Sequence, residues 1–225
     1  MIKLSKRLEE ISKLIDKEDN VLDIGCDHAL LDIYLSEKYD KEYYASDLKE
    51  IRLKNARENI KKYQVNNVKL LEGNGLEVLD KCNGVNTLVI SGMGYMTINN
   101  MLKNIKKLNS IKKLVIQSNS DSNKVRKFVL KNDFYIDKEV VVFDKNFYYI
   151  ISVFKRGKRK YSKLDKEVGI MNLYTDKELY KKYLETEIKK YNILLNIIPK
   201  KEIIRRINIK KNIKYLVYKK NSIID

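Results

Sequence analysis

Apolar positions follow two alternating rhythms over the first two-thirds of the chain. Leu4, Leu8, Ile11, Leu14 and Ile15 recur every three or four residues, which predicts an amphipathic helix over 4–15. Val21, Leu22 and Ile24 then form a short continuous apolar run, the mark of a strand buried on both faces. The alternation repeats, with predicted strands at 42–46, 68–71, 86–90 and 113–116. Predicted helices at 30–39, 50–63 and 97–108, and a short one near 76–80, separate them. After a further helix at 124–131 the alternation stops. Residues 135–143 and 147–154 are β-rich and joined by Asp144-Lys145-Asn146, a hairpin signature. The pattern predicts an α/β fold: a Rossmann-like sheet, mostly parallel, with an antiparallel last strand inserted beside the fifth.

Residues 155–161 are strongly basic and read as a hinge. Beyond them Tyr180, Leu184, Ile188, Tyr191, Leu195 and Ile198 keep helical spacing over 176–198. Pro199, the only proline, fits the first turn of a following helix, where its missing donor costs nothing. Ile203, Ile207, Ile213 and Leu216 continue an apolar face. The division expected is a catalytic domain at 1–155 and a C-terminal helical hairpin, coiled-coil-like, at 156–225. The hairpin is either a packing or dimerisation element or an RNA-contacting one.

Composition narrows the class. Among the 225 residues no apolar run approaches the ~20 needed to span a membrane. The first residues lead into an amphipathic helix instead of a secretory core, which points to the cytoplasm. Two cysteines make neither a disulfide framework nor a zinc site, so no metal is expected. A formal charge of +17 favours a polyanionic partner. The bias toward Lys, Asn, Ile and Tyr is also what AT-rich coding produces, so charge does not name the partner. Oligomeric state is left open.

Every predicted strand on one sheet edge ends in a polar or glycine-bearing group: Asp23 to His28, Asp47, Gly73 to Gly75, Ser91 to Gly94 and Gln117 to Asn119. Ligands of open α/β sheets bind at the carboxyl ends of the strands, so these tips should converge. The first tip has one glycine, Gly25, between Asp23 and Asp27, in place of a three-glycine dinucleotide pattern. Carboxylates there favour a cation over a pyrophosphate, and S-adenosylmethionine carries a sulfonium and an ammonium. Asp47 has the position of a ribose-hydroxyl acceptor, or alternatively of an N-cap for the next helix. Asn74 is placed to accept from the adenine amine. His28 is either part of the donor site or a structural side chain hydrogen-bonded to a backbone carbonyl.

At these residues the chain resembles the bacterial tRNA (adenine-22-N1)-methyltransferases (TrmK). The resemblance runs through Leu4-Ser5-Lys6-Arg7-Leu8, Asp23 to Ala29, Gly73 to Leu76, Ser91 to Gly94, and Gln117 with Asn119. Three positions depart from the family pattern: Cys26 stands for a serine, Tyr95 for the last glycine of Gly-Met-Gly-Gly, and Ser118 for the proline of Gln-Pro-Asn. The resemblance implies a Rossmann-like methyltransferase, S-adenosylmethionine as donor and an adenine in the tRNA D-arm as acceptor. The alternatives are a methyltransferase acting on another RNA or a small molecule, and a non-catalytic RNA-binding protein retaining the fold.

The expected donor-binding set is Asp23, Gly25, Cys26, Asp27, His28, Asp47, Leu48, Asn74, Gly75, Ser91, Gly92, Met93 and Gly94. Asp27, Gln117 and Asn119 are expected to orient the target base, since adenine N1 is already nucleophilic and needs no strong base. Tyr95 is expected to shape or stack on that base. Lys155, Arg156, Lys158 and Arg159 are expected to hold RNA.

Overall fold

The computed structural model describes residues 2–170 and 176–223. Seven strands form one sheet, β1 (Val21–Ile24), β2 (Tyr43–Asp47), β3 (Val68–Glu72), β4 (Thr87–Met93), β5 (Lys113–Ser118), β6 (Phe134–Asp144) and β7 (Phe147–Arg156), in the order β3-β2-β1-β4-β5-β7-β6. The first five pair in parallel, and β7 enters antiparallel between β5 and β6. This is the Rossmann-like sheet with an antiparallel insertion that the alternation pattern predicts.

Period-two alternation divides the core. Leu22, Ile24, Leu88, Ile90, Leu114 and Ile116 pack on one face against α4 (Tyr95–Met101) and α5 (Ser122–Lys131) through Ile98, Val125 and Val129. Val21, Val89, Val115 and Val153 pack on the other, against Ile11 of α1 (Lys6–Ser12) and Leu31 and Leu35 of α2 (Leu30–Tyr39). Helix α3 (Glu50–Lys62) covers β2 and β3 with Leu53 and Ala56 inward.

In β6 the register shifts between Ile136 and Lys138, and the extra residue flips the pleat. Phe134 and Ile136 therefore share the α5 side, while Val140 and Val142 lie on the opposite face. The flip brings Glu139 and Val141 round to the α5 side. Val141 and Ile150 then receive α6 (Lys163–Val168), α7 (Lys177–Ile197) and α8 (Ile203–Asn221) through Val168, Tyr180, Leu184 and Leu216. Buried Glu139 accepts from Arg126 Nε at 2.6 Å and Ser152 Oγ at 2.7 Å, and from the Ile170 N–H at 3.3 Å. Arg126 Nη1 also reaches the Glu167 carbonyl at 3.4 Å, so one buried ion pair joins α5, β6, β7 and the start of the helical region.

Several boundaries differ from the sequence expectation. β4 does not stop at Ile90 but continues through Ser91-Gly92-Met93, with a register irregularity opposite Gln117 and Ser118. Helix α4 ends at Met101, and a separate 3-10 turn occupies Ile105–Lys107. The basic hinge begins as strand, since β7 runs to Arg156. Pro199 lies in the connection ahead of α8, which starts four residues later at Ile203. The hairpin turn is as expected: Lys145 and Asn146 both adopt positive φ (47° and 66°), the two-residue form that suits twisted strands. No helix among the described residues is long and apolar enough to cross a membrane.

Candidate active site

The carboxyl ends of β1, β2, β3 and β4 converge on two adjoining cavities. One, of about 340 Å³, is lined by Gly25, Asp47, Leu48, Arg52, Gly73, Gly75, Met93, Thr97 and Met101. The other, of about 450 Å³, is lined by Ser5, Arg7, Asp23, Cys26, Asp27, His28, Ser91, Gly92 and Lys145 among others. Gly25, Arg52, Gly92 and Met93 border both.

Gly25 is where the two meet. Its φ of +81° is the left-handed region, and a Cβ built there would lie 1.8 Å from Met93 Cε. Its N–H and that of Cys26 both donate to the Ser46 carbonyl, at 2.7 and 3.0 Å, which folds the loop back over β2. Asp27 and Ala29 also have positive φ, 50° and 52°. Gly25 adopts this backbone at no steric cost, but Asp27 and Ala29 store conformational energy at the β1–α2 connection, a common property of ligand-binding turns.

The acids around this loop have few counter-charges. Asp23 is buried, and burial raises its carboxyl to about 7, against the opposing pull of a hydrogen bond with Asp32 and the Arg7 charge. Asp32, fully buried on α2, is pushed well above the carboxylate range by burial and by Asp23. Asp47 is 3% exposed. It accepts from the Lys49 N–H at 3.1 Å and, loosely, from Arg52 Nη1 at 3.4 Å. The capping alternative for Asp47 does not hold, because α3 is capped by Lys49 without a side-chain bond. Burial first, and four neighbouring carboxylates second, push the Cys26 thiol far up, so it stays a neutral thiol.

The other expected residues separate into groups. Asp27 and His28 are about half exposed and face each other at 3.5 Å at the cavity mouth. Among the described residues the His28 side chain makes no bond to a backbone carbonyl, the bond that the structural alternative required; instead its own carbonyl accepts from Asn59 Nδ2 at 3.0 Å. Asn74 is exposed and does not line either cavity, whereas Gly75 does, its Cβ position 3.1 Å from Met101 Cβ.

Gln117 is fully buried, and its Oε1 accepts both from Arg7 Nη1 and from the Gly92 N–H at 3.0 Å. Its Nε2 donates to Asn119 Oδ1 at 3.0 Å, and Asn119 Nδ2 donates to the Gly92 carbonyl at 2.7 Å. The pair therefore braces the Ser91–Gly94 segment, and Gln117 does not present itself to a base. Tyr95 opens α4, its N–H 3.4 Å from Ser120 Oγ and its ring half-buried beside Lys124.

The basic segment lies elsewhere. Because β7 runs antiparallel, Lys155 pairs with Lys113 at the start of β5, on the edge opposite the cavities. Lys155 binds Asp137 at 2.9 Å, Lys158 binds Asp133 at 3.0 Å, and Arg159 stacks over Tyr135 at 3.8 Å. Arg156 donates to the carbonyls of Ile111, Asn132, Ile105 and Leu108 and lies over Phe134. These four side chains close the far edge and do not border the site.

Sequence reasoning missed Arg7, Asp32 and Arg52. Arg7 lies within a stretch already singled out, but its contact with Gln117 spans 110 positions and is invisible to local pattern.

The model of the methyltransferase domain family matches residues 4–152, which carry every strand tip described. The chain belongs to this family. Among relatives of this methyltransferase, a putative tRNA methyltransferase of Mycoplasma genitalium is 30% identical over 84% of this chain and 88% of its own. The tRNA (adenine(22)-N(1))-methyltransferase of Bacillus subtilis is 29% identical over 70% of this chain and 67% of its own. In structure, TrmK of M. capricolum in complex with S-adenosyl-homocysteine superposes with a TM-score of 0.86 and 28% identity, covering 98% of this chain and 99% of that one.

Proposed function

We propose that this methyltransferase moves a methyl group from S-adenosylmethionine to N1 of adenine 22 in the D-arm of tRNA. The observation that carries the reading is the acid-lined double cavity at Gly25, on a chain that matches a TrmK with bound S-adenosyl-homocysteine along nearly its whole length. The residues fit that donor: buried carboxylates at Asp23 and Asp47, with a glycine cradle that a Cβ would fill, suit a cationic nucleoside and oppose a phosphate. Bound S-adenosylmethionine supplies a methyl group already activated on a sulfonium.

The chain supplies orientation, the contribution worth up to ~7–11 kcal/mol in favourable cases. Asp47 would accept from the ribose hydroxyls, Gly75 and Met101 would wall the adenine, and Asp23 and the Gly25 turn would hold the methionine end. Asp27, at the mouth, faces the Watson–Crick edge of the target, and Asn119 and Gln117 fix the Gly92 backbone beside it. Tyr95 stands at the entrance as a stacking face. Displacing the base from the tRNA stack costs a few kcal/mol, and exposed Lys189, Lys190, Lys200, Lys201, Lys210 and Lys214 on α7, α8 and their connection hold the RNA meanwhile. In this division residues 1–155 catalyse in the cytoplasm and 156–225 grip the tRNA, residues 171–175 and 224–225 lying outside those described.

Purified protein with labelled donor and unmodified tRNA transcripts tests the assignment. Transfer should follow adenine at position 22 and vanish in transcripts with guanine there. Donor binding without transfer to any tRNA would overturn the substrate, and label at another adenine would overturn the position.

A further inference from the structure

Asp32 has no place in the reaction described, yet its surroundings are unusual. It is 0% exposed on the first turn of α2, and apart from the Asp23 carboxyl and its own backbone neither carboxylate oxygen has a donor among the described residues. Its carboxyl interacts with that of Asp23, itself 5% exposed and lining the cavity. The groups facing the pair are Arg7 from α1, Asp47 and Tyr43 from β2, and Cys26 from the β1–α2 loop, with Asp27 beside Cys26. Arg7, the one cation among them, is turned onto Gln117. The Tyr43 hydroxyl is also buried with no partner among the described residues.

Two carboxyls in contact inside a protein do not both ionise. Asp32 lines neither cavity, so a ligand cation reaches Asp23 first. A shared proton therefore resides on Asp32, where it gives the orphaned oxygens a bond to make and turns Asp23 into an acceptor.

We infer that Asp32 is a positioning residue for the methyl donor: as a neutral acid it hydrogen-bonds Asp23 and holds it, charged and turned to the cavity, against the donor's cationic methionine end. The inference rests on the donor assignment above. It carries a linkage. Below about 7 Asp23 also holds a proton and the pair is neutral; above it the pair carries one negative charge. Donor binding favours the charged form, so donor affinity rises with pH across that range and binding at the lower end releases a proton.

Calorimetric titration of the full chain with S-adenosylmethionine, at pH values from 6 to 8, tests this. At pH 6.5 the donor's amine is already an ammonium, so proton release measured in buffers of different ionisation enthalpy reports the protein. Release of a fraction of a proton is expected for the wild type. D32N keeps a donor to Asp23 and should bind within about threefold of wild type, while D32L should bind roughly tenfold or more weakly, with its pH midpoint moved upward. Equal binding and equal pH profiles for wild type and D32L would overturn the inference, as would wild-type binding with no proton release. If D32L does not fold, D32N and the wild-type proton count decide. A wild-type protein that binds no donor at all would instead remove the underlying function.

Discussion

The two edges of the sheet handle charge in opposite ways. At the edge where the parallel strands begin, every buried charge is answered. Lys113 Nζ lies 2.7 Å from Asp16 and 2.6 Å from Asp19, Thr87 Oγ1 donates to Asp19 at 2.8 Å, and Arg156 satisfies four carbonyls. The Arg126–Glu139 pair deeper in is equally complete. At the edge where those strands end, Asp23, Asp32 and Asp47 are buried with few cations bonded to them, Arg7 being turned onto Gln117 and Arg52 reaching Asp47 only at 3.4 Å, and the loop between them is held in left-handed backbone. The first arrangement stabilises the fold. The second costs stability that only a cationic ligand recovers, which is how a site differs physically from a scaffold of the same composition.

The largest effect should come from opening a closed pair. E139A strands Arg126 in the core and should destabilise the protein by ~3–5 kcal/mol, measured by urea unfolding, with donor affinity of the folded fraction unchanged. Next, G25A should weaken the donor by roughly 100-fold or more, through backbone strain of ~1–3 kcal/mol and the collision with Met93. G25A/M93A should recover part of that loss, and strict additivity of the two changes would argue against the shared contact.

A smaller effect of opposite sign follows from Asp23. Its folded pKa, about 7, lies above the unfolded carboxylate value, so its contribution is fully present below ~4 and is lost as pH rises through 7. The ligand-free protein should thus lose stability between pH 4 and 7 from this group, and D23N should melt higher than wild type at pH 7.5 while losing donor binding. D23N melting lower would contradict the view that this edge is kept open at a cost. D47N should cost the donor about 10-fold or more with little change in melting. The smallest change belongs to K155A and K158A on the closed edge, where tRNA affinity should stay near wild type; a substantial loss would return those residues to the RNA path.

Much of the comparison is legible in the chain itself. Period-two and helical patterns place the strands, and the glycine and acid at each tip place the cavities at one edge. Strand direction decides the rest. The run from Lys155 to Arg159 reads as an RNA-facing hinge until β7 is seen to run antiparallel, which carries it to the far side. Asp32 reads as an ordinary first-turn helix acid until α2 packs against β1 and buries it beside Asp23. Gln117 and Asn119 read as base-orienting amides, but the bulge in β4 leaves Gly92 polar groups that they satisfy. Each miss concerns a partner distant in sequence, supplied by packing and not by local pattern.

Helix α7 is fixed at one end only. Tyr180 and Leu184 are fully buried, whereas Ile193 and Ile197 are 60% and 72% exposed near the far end. A helix of 21 residues is about 32 Å long, and Arg206 clasps its end to α8 by donating to Leu195 and Ile198 carbonyls, so the two move as one arm. Lever arithmetic then applies: a tilt of ~5° at the root displaces the tip by about 3 Å, close to the ~3.4 Å spacing of stacked nucleotides. For an RNA gripped along that arm, a few degrees of slack would offer the neighbouring base to the donor. The stiffness of the root, where Glu139 and Arg126 tie the sheet to the first residues of the helical region, therefore sets how accurately one nucleotide is selected over the next.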